Sequence, residues 1–150
     1  MPKTDLILLA LDESPALKLL DNVVHVKYQT AISKDTQGLS RLLQENSPEL
    51  LLLGERFDGH DGIKIAKELL ERFPTLPILI YSEKPTSQLI KGIFRLGLSG
   101  YIAPPLTTSD IVDAVENSLR NAARSGDWLR REIKRTTASL KQKAQISDAE

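Results

Sequence analysis

The sequence predicts an α/β domain: a doubly wound, five-stranded parallel sheet with an extended C-terminal helix. Three observations carry that prediction. Short continuous apolar runs, of which Leu50 to Leu53 is the purest, lack polar alternation and read as strands buried on both faces. Each run stops at polar or glycine-bearing residues, as Leu53 does at Gly54. Between the runs, apolar residues recur at helical spacing, and strands alternating with such segments form parallel sheets joined by crossover helices.

The first strand is Asp5 to Leu11, which delivers Asp12 and Glu13 to its C-terminal end. Ser14 followed by Pro15 starts a helix, because proline at the first helical position gives up an N–H that has no partner there anyway. Leu17, Leu19 and Leu20 belong to it, and Asp21-Asn22 is expected to break it. Val26, Tyr28 and Thr30 alternate with Lys27 and Gln29, the period of a strand near the sheet edge. Asp35 caps a second helix with Leu39, Leu42 and Leu43 on one face, and Asn46-Ser47-Pro48 ends it.

The central strand, Leu50 to Leu53, runs into a polar, glycine-punctuated loop. Ile63, Ala66, Leu70 and Phe73, widened by Ile65 and Leu69, then form a third helix stopped by Pro74. Pro77 to Ser82 is the fourth strand. Leu89, Ile93 and Leu96, backed by Ile90 and Phe94, mark a fourth helix ended by Gly97, and Gly100 to Ala103 is a short fifth strand. Thr107 to Asp110 opens the last helix, with Ile111, Val115 and Leu119 as its apolar positions.

At 150 residues the chain holds one ordinary domain and an extension. Arg120 to Glu150 carries eight Lys or Arg against four Asp or Glu, a net +4, which leaves −4 for residues 1–119 of a chain whose formal net charge is +0. The division expected is a body over 1–119 and a helical connector over 120–150, weakly jointed at Gly126. Leu129, Ile133, Thr136 and Leu140 offer a narrow coiled-coil seam for a homodimer.

Balanced charge gives no general attraction to nucleic acid, and no apolar run approaches the ~20 residues of a membrane span. The absence of cysteine excludes disulfides, thiolate metal sites and cysteine nucleophiles, and fits a cytoplasmic location. No dinucleotide, P-loop, GxSxG or HExxH motif is present, and His25 and His60 are too isolated for a metal centre.

The stretch Pro48 to Gly62, PELLLLGERFDGHDG, resembles the third strand and following loop of bacterial receiver domains, the phospho-accepting modules of two-component phosphorelay signalling. The resemblance covers residues 5–119. It implies the flavodoxin-like strand order 2-1-3-4-5 and a site at the carboxyl ends of the strands, where open parallel sheets gather ligands.

It also implies a role for each strand end. Asp12 and Glu13 match the family's Mg²⁺-holding acidic pair. Gly54 stands where the family has its phospho-accepting aspartate, and Pro104 where it has its phosphoryl-binding lysine. Ser82 and Tyr101 match the hydroxyl and aromatic of the family's switch pair, and Pro105 matches a proline often preceded by a cis bond. With no carboxylate at Gly54, the expectation is no cofactor beyond a weak Mg²⁺ at Asp12 and Glu13, of about millimolar affinity or poorer. Arg56 and Lys84 are the cations placed to neutralise that pair instead.

The expected function is a non-enzymatic, phosphorylation-independent receiver acting by contact. Its interaction face would be the fourth helix, fifth strand and fifth helix, which carry Lys91, Arg95 and Asp113. The alternative is an unusual phospho-acceptor among Glu55, Asp58 and Asp61, although strand alternation turns the Glu55 carboxylate away from the site unless the strand has already ended. A flavin or nucleotide binder would need a phosphate-cradling loop where Asp12-Glu13-Ser14-Pro15 instead presents two negative charges. Nucleic-acid binding by the basic tail is weaker still, since charged helices are usually solvated faces.

Overall fold

Leu50 to Leu53 are wholly buried, and the rest of the domain is layered on the strand they form. The computed structural model describes residues 5–121. In it β1 (Leu6–Ala10), β2 (Gln29–Ser33), β3 (Leu50–Gly54), β6 (Ile78–Tyr81) and β7 (Gly100–Ile102) form one sheet in the order β2-β1-β3-β6-β7. Every pairing is parallel. Two two-residue strands, β4 (Arg56–Phe57) and β5 (His60–Asp61), form a separate antiparallel hairpin. The helices are α1 (Pro15–His25), α2 (Thr36–Glu45), α3 (Gly62–Arg72), α4 (Ser87–Leu96) and α5, described over 108–121. Counting the main sheet alone, the order is the 2-1-3-4-5 of the flavodoxin-like fold.

Strand alternation divides the apolar runs into two cores. Ile7, Leu9, Leu50, Leu52, Leu79 and Tyr81 face Leu17, Leu20 and Val24 of α1 and Ile111 and Val115 of α5. Leu8, Leu51, Leu53, Ile78 and Ile80 face α2, α3 and α4 through Leu39, Leu43, Ile65, Ala66, Leu69, Leu89 and Ile93. Each buried leucine contributes about 1.5–3 kcal/mol relative to exposure, so the four of β3 alone outweigh any single polar contact at the strand ends.

The helix starts are set by side-chain caps. Ser14 accepts from Leu17 N at 3.2 Å, Asp35 from Gly38 N at 2.6 Å, Asp61 from Ile63 N at 2.9 Å, Thr86 from Leu89 N at 3.1 Å and Thr107 from Asp110 N at 3.0 Å. Gly97 ends α4 in the left-handed region at φ 69°, which glycine adopts without a Cβ penalty.

Three expectations are corrected. Asp21-Asn22 does not break α1, which continues to His25 because Leu17, Leu20 and Val24 keep one face in the core and Asp21 Oδ1 is taken by Thr30 Oγ1 at 2.8 Å. β2 therefore starts at Gln29, and Val26 falls at the helix end, 78% exposed. Ile90 and Phe94 do not back the core face of α4; both are exposed, because Leu89 and Ile93 already fill it. The expected connector beyond 121, with its joint at Gly126, Trp128 and its seam of Leu129, Ile133, Thr136 and Leu140, lies outside the described residues.

Candidate functional site

The carboxyl ends of β1, β3 and β6 converge on a cavity of about 240 Å³ lined by Leu11, Asp12, Ser14, Gly54, Glu55, Arg56, Tyr81, Ser82 and Glu83. Its lining holds the three carboxylates of Asp12, Glu55 and Glu83 against the one guanidinium of Arg56. An anionic ligand would meet net repulsion there.

The loop after β3 sets the geometry. Asp58 and Gly59 sit at φ 54° and 75°, both in the left-handed region. Two such residues between paired strands make a type I′ turn, for which Asp-Gly is a preferred sequence. Phe57, wholly buried, anchors the hairpin in the core shared with α2, α3 and α4. Asp58 Oδ2 accepts from Thr36 N at 3.0 Å and from Thr36 Oγ1 at 3.3 Å, adding a second cap to α2. Asp58 N donates to Asp12 Oδ1 at 2.9 Å. The hairpin thus ties the β1 loop to the start of α2.

Glu55 is fixed at three points. Its N–H donates to Tyr81 O at 2.7 Å, its carbonyl accepts from Gly62 N at 2.7 Å, and its Oε2 accepts from Ser82 Oγ at 2.6 Å. Ser82 is 1% exposed, so without this acceptor its hydroxyl would be buried and unpaired. The expectation that Glu55 turns away is therefore corrected: β3 ends at Gly54, Glu55 lies in the bend before the hairpin, and the pleat no longer sets its direction.

Gly54 closes β3 opposite Tyr81, and a Cβ built on it would stand 2.8 Å from the backbone oxygen of Arg56. The loop backbone occupies the space a side chain at that position would need. Ser82 N donates to Ile102 O at 3.0 Å, holding the end of β6 to β7, where Tyr101 is 41% exposed. The Pro104–Pro105 peptide bond is cis, and both prolines are exposed.

Arg56 does not neutralise the acidic pair: its Nη2 donates to Gly59 O at 3.2 Å within its own hairpin. Lys84 is exposed, and among the described residues the ion pair present is Lys27 with Glu116 at 3.6 Å, remote from Asp12 and Glu13. The charge substitution expected of Arg56 and Lys84 is thus not made: the turn carbonyl of Gly59 takes the Arg56 guanidinium, and Lys84 forms no ion pair among the described residues. Asp61 Oδ1 is occupied as the cap of α3. Among the described residues no three His, Cys, Asp or Glu side chains are grouped to hold a metal ion. Burial, with the charge of Glu83 added, holds the Tyr81 phenol above its ordinary pKa.

Residues 7–116 match the family model of the response regulator receiver domain. The chain belongs to this family.

Solved receivers share the fold. The signal receiver domain of an HD domain-containing protein from Pseudomonas fluorescens Pf-5 gives a TM-score of 0.73 at 17% identity, covering 81% of this chain and 99% of that one. A CheY-like response regulator receiver domain protein from Methanospirillum hungatei JF-1 gives 0.73 at 13% identity, covering 82% and 99%. NtrX from Brucella abortus gives 0.73 at 19% identity, covering 89% of this chain and 30% of that one. Receivers are in general non-enzymatic signalling modules of two-component systems. Among the described residues of this receiver, no helix is long and apolar enough to cross a membrane.

Sequence reasoning missed the hairpin and the Glu55–Ser82 bond in this receiver. The first had a signal, an Asp-Gly dipeptide after Arg56-Phe57. The second had none, since it depends on where the backbone leaves the pleat.

Proposed function

We propose that this receiver signals without phosphorylation, as a protein-interaction module of two-component signalling. The observation that supports it most is the bond from the buried Ser82 hydroxyl to Glu55: the donor that an incoming phosphoryl group would need is already given to an internal carboxylate. Gly54 has no carboxylate to form an acyl phosphate, Pro104 has neither charge nor donor, and the cavity is acid-rich. Ser82 and Tyr101 then form a pair whose position is set by Glu55 rather than by phosphate.

The donor set does not fit a firmly held Mg²⁺. Hard divalent cations want about six oxygen ligands, whereas one oxygen of Asp12 accepts from Asp58 N and Gly54 supplies no carboxylate. Any Mg²⁺ affinity at Asp12 and Glu13 would be weak, and calorimetric titration of Mg²⁺ into the protein measures it directly.

The interaction face in this reading is α4, β7 and α5, carrying Lys91, Arg95 and Asp113, with residues 1–119 as the receiver and 120–150 as a connector able to pair with a second copy. Light scattering over a range of protein concentrations tests that pairing. The phosphorylation test is intact mass after incubation with Mg²⁺ and acetyl phosphate, with no added phosphoryl group expected.

A second reading is favoured by one specific observation. Because its carboxylate reaches Ser82, Glu55 is the best placed of the three alternative acceptors; Asp58 and Asp61 are occupied as helix caps. A phosphoryl group that appears on the protein and is lost in Glu55→Ala would establish this reading over the first.

A further inference from the structure

We propose that the cavity at the strand ends binds a small organic ammonium cation, a short aliphatic amine or diamine, an inference that rests on reading the site as one without phosphoryl chemistry. The first observation is charge. Asp12, Glu55 and Glu83 border the cavity against Arg56 alone, a net −2. A carboxylate keeps its charge when it accepts a hydrogen bond, so the bonds from Asp58 N to Asp12 and from Ser82 to Glu55 leave that balance as it stands. The surrounding body is acidic as well, net −4 over residues 1–119.

The second observation is independent of the acids. Tyr81 lines the same cavity and is only 8% exposed, yet among the described residues no group hydrogen-bonds its hydroxyl. A buried tyrosine ordinarily has a partner there. Burial first, and the charge of Glu83 second, hold the phenol above its ordinary pKa, which keeps it a neutral hydroxyl at neutral pH and places it within reach of another cavity residue. It can accept from a ligand in the cavity.

The third is how the acids are spread. Three carboxylates border the cavity, but among the described residues no three His, Cys, Asp or Glu side chains are grouped closely enough to hold one metal ion. Their charge surrounds about 240 Å³ instead of converging on a point. An alkylammonium has three N–H donors and needs three acceptors on one side, where a hard divalent cation needs about six oxygens around it. Asp12 Oδ2, Glu55 Oε1 and the Glu83 carboxylate accept no bond among the described residues and remain for that role. Buried Leu11 and the Tyr81 ring offer apolar wall to the ligand's carbon chain.

The chain's own cations do not take this place. Arg56 Nη2 donates to Gly59 O, and Lys84 is exposed and outside the lining. A short diamine, with a positive charge at each end, balances the net −2 that Arg56 leaves.

The test follows the two-dimensional ¹H–¹⁵N NMR spectrum of the 150-residue chain as putrescine, n-butylamine, butanediol or succinate is added. Putrescine should move the amide signals of the cavity residues and bind about threefold tighter than n-butylamine, while butanediol and succinate leave those signals in place. Glu83→Gln should weaken putrescine about threefold and Tyr81→Phe about fivefold. Glu45→Gln removes the same charge from an exposed position at the end of α2, outside the cavity, and should change nothing.

No response to putrescine, an equal response to butanediol, or an affinity unchanged in both Glu83→Gln and Tyr81→Phe overturns the proposal. So does Mg²⁺ that displaces putrescine at equal concentration, which would make the cavity a metal site. Intact mass after Mg²⁺ and acetyl phosphate separates the two claims. A phosphoryl group on a chain that still binds putrescine overturns phosphorylation independence and leaves the ligand standing, whereas an unmodified chain that does not respond to putrescine overturns the ligand alone.

Discussion

The Ser82 hydroxyl and the Glu55 carboxylate meet at 2.6 Å, joining the end of β6 to the hairpin that follows β3. A hydroxyl donating to a carboxylate at that separation is a strong, charge-assisted bond. It fills the site from within.

Removing either partner should therefore be felt as stability. Glu55→Ala leaves a buried hydroxyl without its acceptor and should cost about 1–3 kcal/mol, with Glu55→Gln milder because its amide oxygen still accepts. Urea unfolding of Glu55→Ala, Ser82→Ala and the double variant should give a coupling of about 1 kcal/mol. Strictly additive effects would mean the contact contributes nothing.

Gly54 is the second lever. A side chain there meets the Arg56 carbonyl, a backbone atom that yields only if the hairpin shifts. Gly54→Ala should destabilise by about 1–3 kcal/mol, and Gly54→Asp should do so without gaining phosphorylation. Thermal unfolding and intact mass check the two halves. A Gly54→Asp protein that is both stable and phosphorylated would mean that the loop opens readily.

Asp58 combines a positive φ with two bonds to Thr36. Asp58→Ala loses both and should cost about 1–2 kcal/mol, whereas Asp58→Asn tolerates the left-handed backbone, keeps an acceptor and should cost far less. Chemical denaturation of the pair distinguishes this from a general charge effect, which would make the two variants alike.

The sheet was legible because fully buried parallel strands leave a signature that tolerates error: Leu50 to Leu53 can lie nowhere else, and Asp35, Gly97 and Thr107 mark helix ends by chemistry that acts locally. The α1–β2 junction was not, because the tertiary packing of Val24 overrode the breaking tendency of Asp21-Asn22. Which residues sit at the strand ends could be read from the family resemblance. Their contacts could not, since Arg56 chose a carbonyl within its own turn and Glu55 escaped the pleat through a bend that no local pattern records. Phe94 shows the limit of periodicity: helical spacing identifies a helix without saying which apolar residues it spends on the core.

Stability should fall on the alkaline side. Burial, and then Glu83, raises the Tyr81 phenol above its ordinary 10.0. Burial likewise raises Tyr28, opposed by Lys27 and reinforced by Glu116 and Asp5. The folded state holds these protons more tightly than the unfolded chain, so their contribution is complete below about pH 10 and is lost as pH rises through the folded-state values. Urea midpoints should be flat from about pH 8 to about pH 9.5 and decline above, less steeply in Tyr81→Phe. A decline of unchanged slope in that variant would assign the effect elsewhere.

The most direct measurement of the central claim is the intact mass of the 150-residue chain after incubation with Mg²⁺ and acetyl phosphate. An unchanged mass is the result predicted, because Gly54 offers no acceptor and Glu55 is committed to Ser82. One added phosphoryl group, absent from the Glu55→Ala variant, would contradict it and make Glu55 the acceptor of a phosphate-responsive receiver.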